Sequence, residues 1–577
     1  MKKTWEVLNK LAGRKVTAKE IDELFYKGVT VSNDQDIANN FNDHFCNIAG
    51  MLEEKLPRND LSPTMFANSR NSSSFFLFPV DENECEKIIN KLKPTKNSIN
   101  MIPVKIFISL REYLKFPLTK LINMSFEKST FPTSLKSARL TPVFKKGEKI
   151  LPENYRPIAS LPFLSKVLEK CMINRIIKFY DRTKFFSKFQ FGFRKGFSTV
   201  HALTELTENI YNSLNNKEHH VSIFIDLSKA FETVNHRILL SKLEISGVRG
   251  PALDWFTSYL KDREYYVKVG SYASNTRTVN IGLPQGSIAG PILFLVYVNE
   301  LPNVSKLFKP VLFADDTTVS VSNTNFESLI TTANNELEKI QQWTISNRLS
   351  INANKSELLL FSNRRVDRNQ LSIVLGQQEL EIKSNCKFLG VLVDEQLNFT
   401  NHIEYILGKL SRNTGILYRI RGNLPMSARL NFYYALIMPY LTYNVIVWGS
   451  TYDTHLNPII LQHKRVIRTI CNSQRLDHTT PLFYRLGLLK FKDLYKFSMC
   501  VHMHKSISEG KFKITHQLNT RNRTLAAPTF HRLSTCQHAV SFCGPQIWNN
   551  LPSPLRTIES LPLFKKKLKK YLIDQYQ

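Results

Sequence analysis

Two adjacent carboxylates, Asp315 and Asp316, sit inside the apolar and β-branched run Val311-Leu312-Phe313-Ala314-Asp315-Asp316-Thr317-Thr318-Val319. Such flanks favour strands, and an Asp pair between them predicts a tight β-hairpin with both acids at its tip. Like charges held side by side repel unless something positive joins them, and a divalent cation is the usual partner. A solvated turn is the better explanation of an isolated Asp pair, so the pair alone does not establish a metal site. A second run, Val221-Ser222-Ile223-Phe224-Ile225-Asp226-Leu227, reads as a strand ending in a third carboxylate. Ser228-Lys229-Ala230-Phe231 then reads as a turn into a helix. Packing explains an acid at the end of an apolar strand poorly. Three carboxylates from two strand ends suit two Mg²⁺ ions roughly 3.5–4 Å apart, the arrangement that drives in-line phosphoryl transfer. One ion activates the attacking hydroxyl, and both stabilise charge on the transferred phosphate.

Further motifs surround these acids in a definite order. Thr141-Pro142-Val143-Phe144-Lys145-Lys146-Gly147, Asn154-Tyr155-Arg156-Pro157-Ile158 and Gln190-Phe191-Gly192-Phe193-Arg194 come first. Phe224-Ile225-Asp226-Leu227 runs on through Asn235-His236, and Gly282-Leu283-Pro284-Gln285-Gly286-Ser287 precedes the Asp pair. Asn347 through Lys355 and Phe388-Leu389-Gly390-Val391 follow it. Each motif is weak alone. Their ordered set, over about residues 135–400, resembles the reverse transcriptases of retroelements without long terminal repeats, the jockey-like long interspersed elements.

The resemblance implies an α+β right-hand polymerase fold: fingers, a palm of antiparallel sheet packed on helices, and a helical thumb. It implies RNA-directed DNA synthesis from a primer 3′ end with dNTPs, an RNA template and a DNA primer or target DNA. Asp226, Asp315 and Asp316 become the catalytic acids and, with Leu227, the ligands of two Mg²⁺ ions, for which Mn²⁺ substitutes. Gln285 and Gly286 belong to the nucleotide pocket. Arg156 is the better candidate for the incoming triphosphate, which it can bind bidentately, while Lys145 and Lys146 act as point charges. Lys355 is a candidate proton donor to the leaving pyrophosphate. Phe231, five residues after Asp226, would set a flat ring against a ribose 2′-hydroxyl, the group that separates RNA from DNA. A core Phe is the plainer explanation of that residue, since the chain has 38 of them.

The whole chain agrees with a nucleic-acid partner. Its 577 residues allow three or four domains. A formal net charge of +30 implies a polyanionic partner, nucleic acid first, with a Lys-rich composition bias as the plainer alternative. Residues 401–577 hold 25 Lys+Arg against 7 Asp+Glu, so they carry +18 of that charge. Eight scattered cysteines form no C-x-x-C pair, which excludes a zinc ribbon or a disulfide framework. Cys536, His538 and Cys543 have a metal-like flavour but fit no standard finger. No run of 18 apolar residues occurs, so no membrane span is expected, and Met1–Trp5 do not open a signal peptide.

The elements that position these residues follow from periodicity. Residues 1–105 read as a helical extension and linker, with Asn68–Ser74 the linker proper, 106–220 as fingers, 221–400 as palm, 401–475 as thumb and 476–577 as a basic, mostly helical C-terminal region. An N-terminal endonuclease, present in the full-length family, is expected to be missing. Helices are expected over 196–216, 234–246, 325–348, 403–421, 427–448 and 456–471. Phe388–Val393 reads as a strand closing the palm. The helix after Pro291 is apolar on nearly every side, hence buried, and its Gly-rich start can turn N–H groups toward an anion. Trp255, Phe256, Tyr259 and Leu260 recur at helical spacing as a core stripe. Lys464, Arg465 and Arg468 on neighbouring turns, with Arg475, are expected to track template–primer phosphates. Phe564–Leu572 is a basic amphipathic helix suited to nucleic acid, to import or to docking by its Leu face. A location in nucleus and cytoplasm is expected, with action in the nucleus by resemblance.

Overall fold

In the computed structural model, which describes residues 21–57, 60–67, 70–92, 103–510 and 525–577, the architecture is α+β. The run around Ile223 forms the strand His219–Ile225 in a four-stranded antiparallel sheet. The strand order is Lys309–Phe313, Asp316–Asn323, His219–Ile225, Glu357–Phe361. Successive side chains on a strand face opposite ways, so each strand feeds two cores. Leu358 and Leu360 enter one, with the helices Phe163–Thr183, His236–Ile245, Ala289–Val298 and Phe326–Ser346. Leu359 and Phe361 enter the other, with the helix Thr199–Asn215 and the C-terminal helices.

A second sheet has five strands. Ala138–Phe144 pairs antiparallel with Tyr155–Ser160 and parallel with Arg263–Val269, which also pairs with Tyr272–Ala273 and Arg277–Val279. The hairpin 263–279, read from sequence as part of the same region as Asp226, therefore extends the sheet that carries Lys145 and Arg156. The N-terminal helix Asp34–Glu54 packs on this sheet, burying Ile37, Phe41 and Phe45 against Leu140, Tyr155 and Val267. Its N-cap Asn33 accepts from the Asp36 amide. Asn68 and Ser69 of the expected linker and Met1–Trp5 lie outside the described residues. Beyond them Asn71 and Phe75 donate backbone hydrogen bonds to Ile245 and Gly247, so this stretch is docked.

Most expected helices form near their anticipated bounds: Thr199–Asn215, His236–Ile245, Phe326–Ser346, Thr400–Ile420 and Asp453–Cys471. The aromatic stripe at 255–260 is fully buried, as a core stripe should be. Two expectations fail. The single helix over 427–448 is three short ones, Met426–Leu436, Met438–Thr442 and Val445–Trp448. Pro439 has no N–H to continue the first, and Asn444 takes a left-handed φ of 50° that ends the second. The expected strand Phe388–Val393 is a hairpin, Asn385–Phe388 against Val391–Asp394, turning on Leu389 and Gly390, both with positive φ. Tyr443 donates to the Leu389 carbonyl at 2.8 Å, which ties this turn to the helical region.

Helices on either side of residue 475 share one core, since Ile459, Ile467, Met499, Trp548, Phe564 and Leu568 all belong to it. The basic helix Leu561–Asp574 docks by Phe564, Leu568 and Leu572 and leaves Lys565, Lys566, Lys567 and Lys570 exposed. Cys536 donates its thiol to the Tyr211 carbonyl and Cys543 to the Gln537 carbonyl. Among the described residues all eight cysteines are free, and no helix is long and apolar enough to cross a membrane.

Candidate active site

The Asp pair does form a hairpin, with one adjustment. Phe313 pairs with Asp316, so the two-residue loop is Ala314 and Asp315, and Asp316 opens the returning strand. Asp316 leaves the loop because the ladder from Thr317 onward extends to it. Ala314 takes a positive φ of 59° at the first loop position, where two-residue hairpins favour glycine. The returning strand pairs with His219–Ile225, Thr317 opposite Ile225. One residue further along this register come Asp316 and Asp226, on strands about 4.8 Å apart.

Asp226 is anchored by its backbone. Its N–H donates to Ser356 Oγ at 3.2 Å, and its carbonyl accepts from the Asn352 N–H at 2.8 Å. The same loop carries Lys355, whose charge acts on Asp226. Burial raises the Asp226 pKa, the lysines 355 and 145 pull it down, and Asp315 pushes it up again. Asp316 is solvent-exposed at the cleft yet crowded by protein, and that crowding, with Asp315 and then Asp226 beside it, pushes it up to about 6. None of the three acids makes an ion pair among the described residues. Nor, among these residues, do three or more His, Cys, Asp or Glu side chains close into a metal-holding group. The side chains as they stand therefore do not close into the three-acid cage expected from sequence, although the register sets Asp226 and Asp316 side by side. Leu227 is buried and pairs with Ile351, so it can offer a cation only its carbonyl.

The glycine-rich loop is tied to the segment after Asp226 and to the five-stranded sheet. Leu283 N–H donates to the Phe231 carbonyl, Gly282 N–H to Val234, and Ala159 N–H to the Gln285 carbonyl. A Cβ on Gly282 would fall 2.5 Å from the Glu232 carbonyl oxygen, and one on Gly286 2.4 Å from that of Ala159. Both have positive φ, so only glycine fits. Gln285 bonds the Glu232 carboxylate, whose pKa burial raises. Phe231 is half-buried and stacks on Phe294 of the buried helix, centroids 4.5 Å apart at 20°. The N–H groups expected to face a ligand are already satisfied. Glu169, fully buried, accepts from Ile288 N at 2.6 Å and Ala289 N at 3.1 Å, so the anion at this helix N-terminus is the protein's own. Glu169 escaped the sequence reading because it stands 119 residues away.

The cations fall in two places. Lys145, Lys146 and Arg156 sit at the loop end of the Ala138–Phe144 and Tyr155–Ser160 hairpin, with Val143 opposite Arg156. Lys145 and Lys146 both act on Asp226, and Arg156 acts on Lys145, so this end faces the acids. Lys464 and Arg468 instead line a cleft of about 650 Å³ with Lys490, Lys492 and Lys496. Arg468 spends its Nε on the Asp477 carbonyl at 2.8 Å. Arg465 and Arg475 are exposed nearby.

Gln190 makes contacts that the sequence reading did not assign. Its side-chain oxygen accepts from Gly192 N at 2.8 Å and from Ala314 N at 3.1 Å.

Comparison with known proteins bears on the family. Residues 143–393 match the reverse transcriptase (RNA-dependent DNA polymerase) family. The chain is similar to the RNA-directed DNA polymerase from mobile element jockey of Drosophila melanogaster, at 29% identity over 427 residues, 70% of this chain and 46% of that protein. The jockey polymerase of Drosophila funebris is 26% identical over 463 residues, covering 78% of this chain and 50% of its own length. The probable RNA-directed DNA polymerase from transposon X-element of Drosophila melanogaster is 29% identical over 394 residues, 67% and 43% respectively. The chain thus spans about half the length of the curated relatives it matches. Residues 143–393 thus match a reverse transcriptase domain, and the chain is similar to polymerases of jockey-like mobile elements.

Proposed function

We propose that this chain is an RNA-directed DNA polymerase that extends a primer 3′-hydroxyl on an RNA template with dNTPs. The sheet register carries the reading: Thr317 opposite Ile225 brings Asp226 beside Asp316, with Asp315 at the adjoining tip. The four-stranded sheet with its helices acts as palm, the five-stranded sheet as fingers, and the helices from Thr400 onward as thumb. Two Mg²⁺ ions, for which Mn²⁺ substitutes, held by Asp226, Asp315, Asp316 and the Leu227 carbonyl, would supply a lowered hydroxyl pKa and charge neutralisation at the transferred phosphate.

The remaining work falls to the chain's own side chains. Arg156 clamps the triphosphate through its planar fork, and Lys145 and Lys146 add point charge. Lys355, close to Asp226, gives a proton to the departing pyrophosphate. Gln285, oriented by Glu232, contacts the incoming nucleotide beside Gly286. Phe231, rigid against Phe294, excludes a 2′-hydroxyl. Lys464, Arg465, Arg468 and Arg475 follow the phosphates of template and primer, a DNA primer or target DNA included, in the nucleus.

Primer extension on poly(rA)/oligo(dT), with and without Mg²⁺, tests the reading. Mg²⁺-dependent synthesis is expected. Tight binding of the same duplex with no synthesis would leave a nucleic-acid-binding remnant instead.

A further inference from the structure

The hairpin that carries Asp315 and Asp316 adopts a backbone conformation that its own sequence disfavours. Ala314, buried, sits in the left-handed region at φ 59°, which residues other than glycine adopt rarely because Cβ crowds the carbonyl. Something outside the hairpin must hold it there. Residues 189–192 run alongside it: Leu312 N–H donates to the Phe189 carbonyl at 3.0 Å, and Phe191 N–H to the Leu312 carbonyl at 2.8 Å. From this added edge the Gln190 side chain, 1% exposed, reaches the loop. Its Oε1 bridges the N–H groups of Gly192 and Ala314. Gly192 completes the contact, because a Cβ there would lie 2.4 Å from the Ala314 nitrogen.

We propose that Gln190 is a positioning residue, which locks Ala314 left-handed and thereby sets Asp315 and Asp316 for metal. The other end of its amide supports this. Nε2 is buried with no hydrogen-bond partner among the described residues, a cost that an aliphatic side chain of the same size would avoid. What the amide supplies that an aliphatic residue lacks is the carbonyl oxygen at Ala314. With that acceptor gone, Ala314 relaxes toward ordinary φ, and the Asp315 carboxylate swings away from Asp316 and Asp226. The proposal deepens the polymerase reading and rests on it for its catalytic consequence.

The test uses the full chain and Mn²⁺ as probe. Gln190→Met keeps shape and removes the acceptor oxygen that both N–H groups share. Expected results are amide exchange in segment 311–318 faster by about tenfold, and Mn²⁺ affinity, read by electron paramagnetic resonance, weaker by about tenfold, as one lost hydrogen bond implies. Duplex binding should stay at the wild-type value. Adding Ala314→Gly, which needs no lock, should restore Mn²⁺ affinity to within about threefold of wild type. Gly192→Ala is the second route and should weaken Mn²⁺ binding in the same way if Gln190→Met fails to fold. Unchanged exchange and Mn²⁺ affinity in Gln190→Met would overturn the proposal. So would equal quickening through strand 219–225, without recovery by Ala314→Gly, because Gln190 would then be mere packing. A wild-type chain that binds Mn²⁺ but extends no primer overturns the polymerase reading alone, and the exchange arm still judges Gln190.

Discussion

Two sets of carboxylates in the same region meet opposite fates. Glu300 is buried and neutralised from within: Lys242, 2% exposed, lies 3.2 Å away and also donates to the Tyr297 carbonyl at 2.6 Å. Burial pushes that lysine down to about 8 even beside its partner. Asp226 and Asp316 are neighbours in the sheet register with Asp315 at the adjoining tip, yet among the described residues none of the three makes an ion pair, and Asp316 is pushed up by burial and by the other two acids. The first pair belongs to the fold. The second group has no such internal partner, and under the proposed function its repulsion is relieved by a cation from outside.

Substitutions can break this contrast. The largest effect is expected from Asp315→Asn: synthesis should fall by about a thousandfold or more, as loss of a metal ligand worth several kcal/mol implies, with duplex binding and thermal stability retained. Primer extension beside a binding titration checks it, and a folding defect would erase the distinction from Glu300. Lys242→Met should do the reverse. It strands a buried carboxylate and should cost about 3–5 kcal/mol in urea unfolding, while Lys242→Met with Glu300→Leu recovers most of that loss. Phe231→Ala should raise ribonucleotide relative to deoxyribonucleotide incorporation on the order of tenfold to a hundredfold, without changing metal dependence. An unchanged ratio would return Phe231 to the core it touches through Phe294. The smallest effect is expected far from the acids: Arg465→Ala should weaken duplex binding and lower the salt slope by about 1, leaving the Mg²⁺ requirement unchanged.

Much of this was legible before any coordinates. The alternation around Val311 and Val319 announced a hairpin, and the run ending at Asp226 announced a strand. Helix spans were close wherever one apolar face persisted, as in Phe326–Ser346. Reading failed where partners are distant in sequence. Glu169 reaches its helix N-terminus across 119 residues, and Gln190 reaches Ala314 across 124, so neither leaves a local signature. The break at Pro439 and Asn444 went unread because apolar residues continue straight through it. The basic C-terminal helix was undecided until Phe564, Leu568 and Leu572 proved to be its docked face.

By itself, the sequence determined the kinds of group present: three acids at strand ends, a glycine-rich loop, a strongly cationic chain. Local propensity and periodicity act over a few residues, and those features need no more. Only the tertiary structure decided that Asp226 and Asp316 are neighbours, that the helix start at Ile288 is already satisfied, and that an alanine is held left-handed beside the acids. Each of these depends on strand register and long-range hydrogen bonds, which exist only once distant segments have packed.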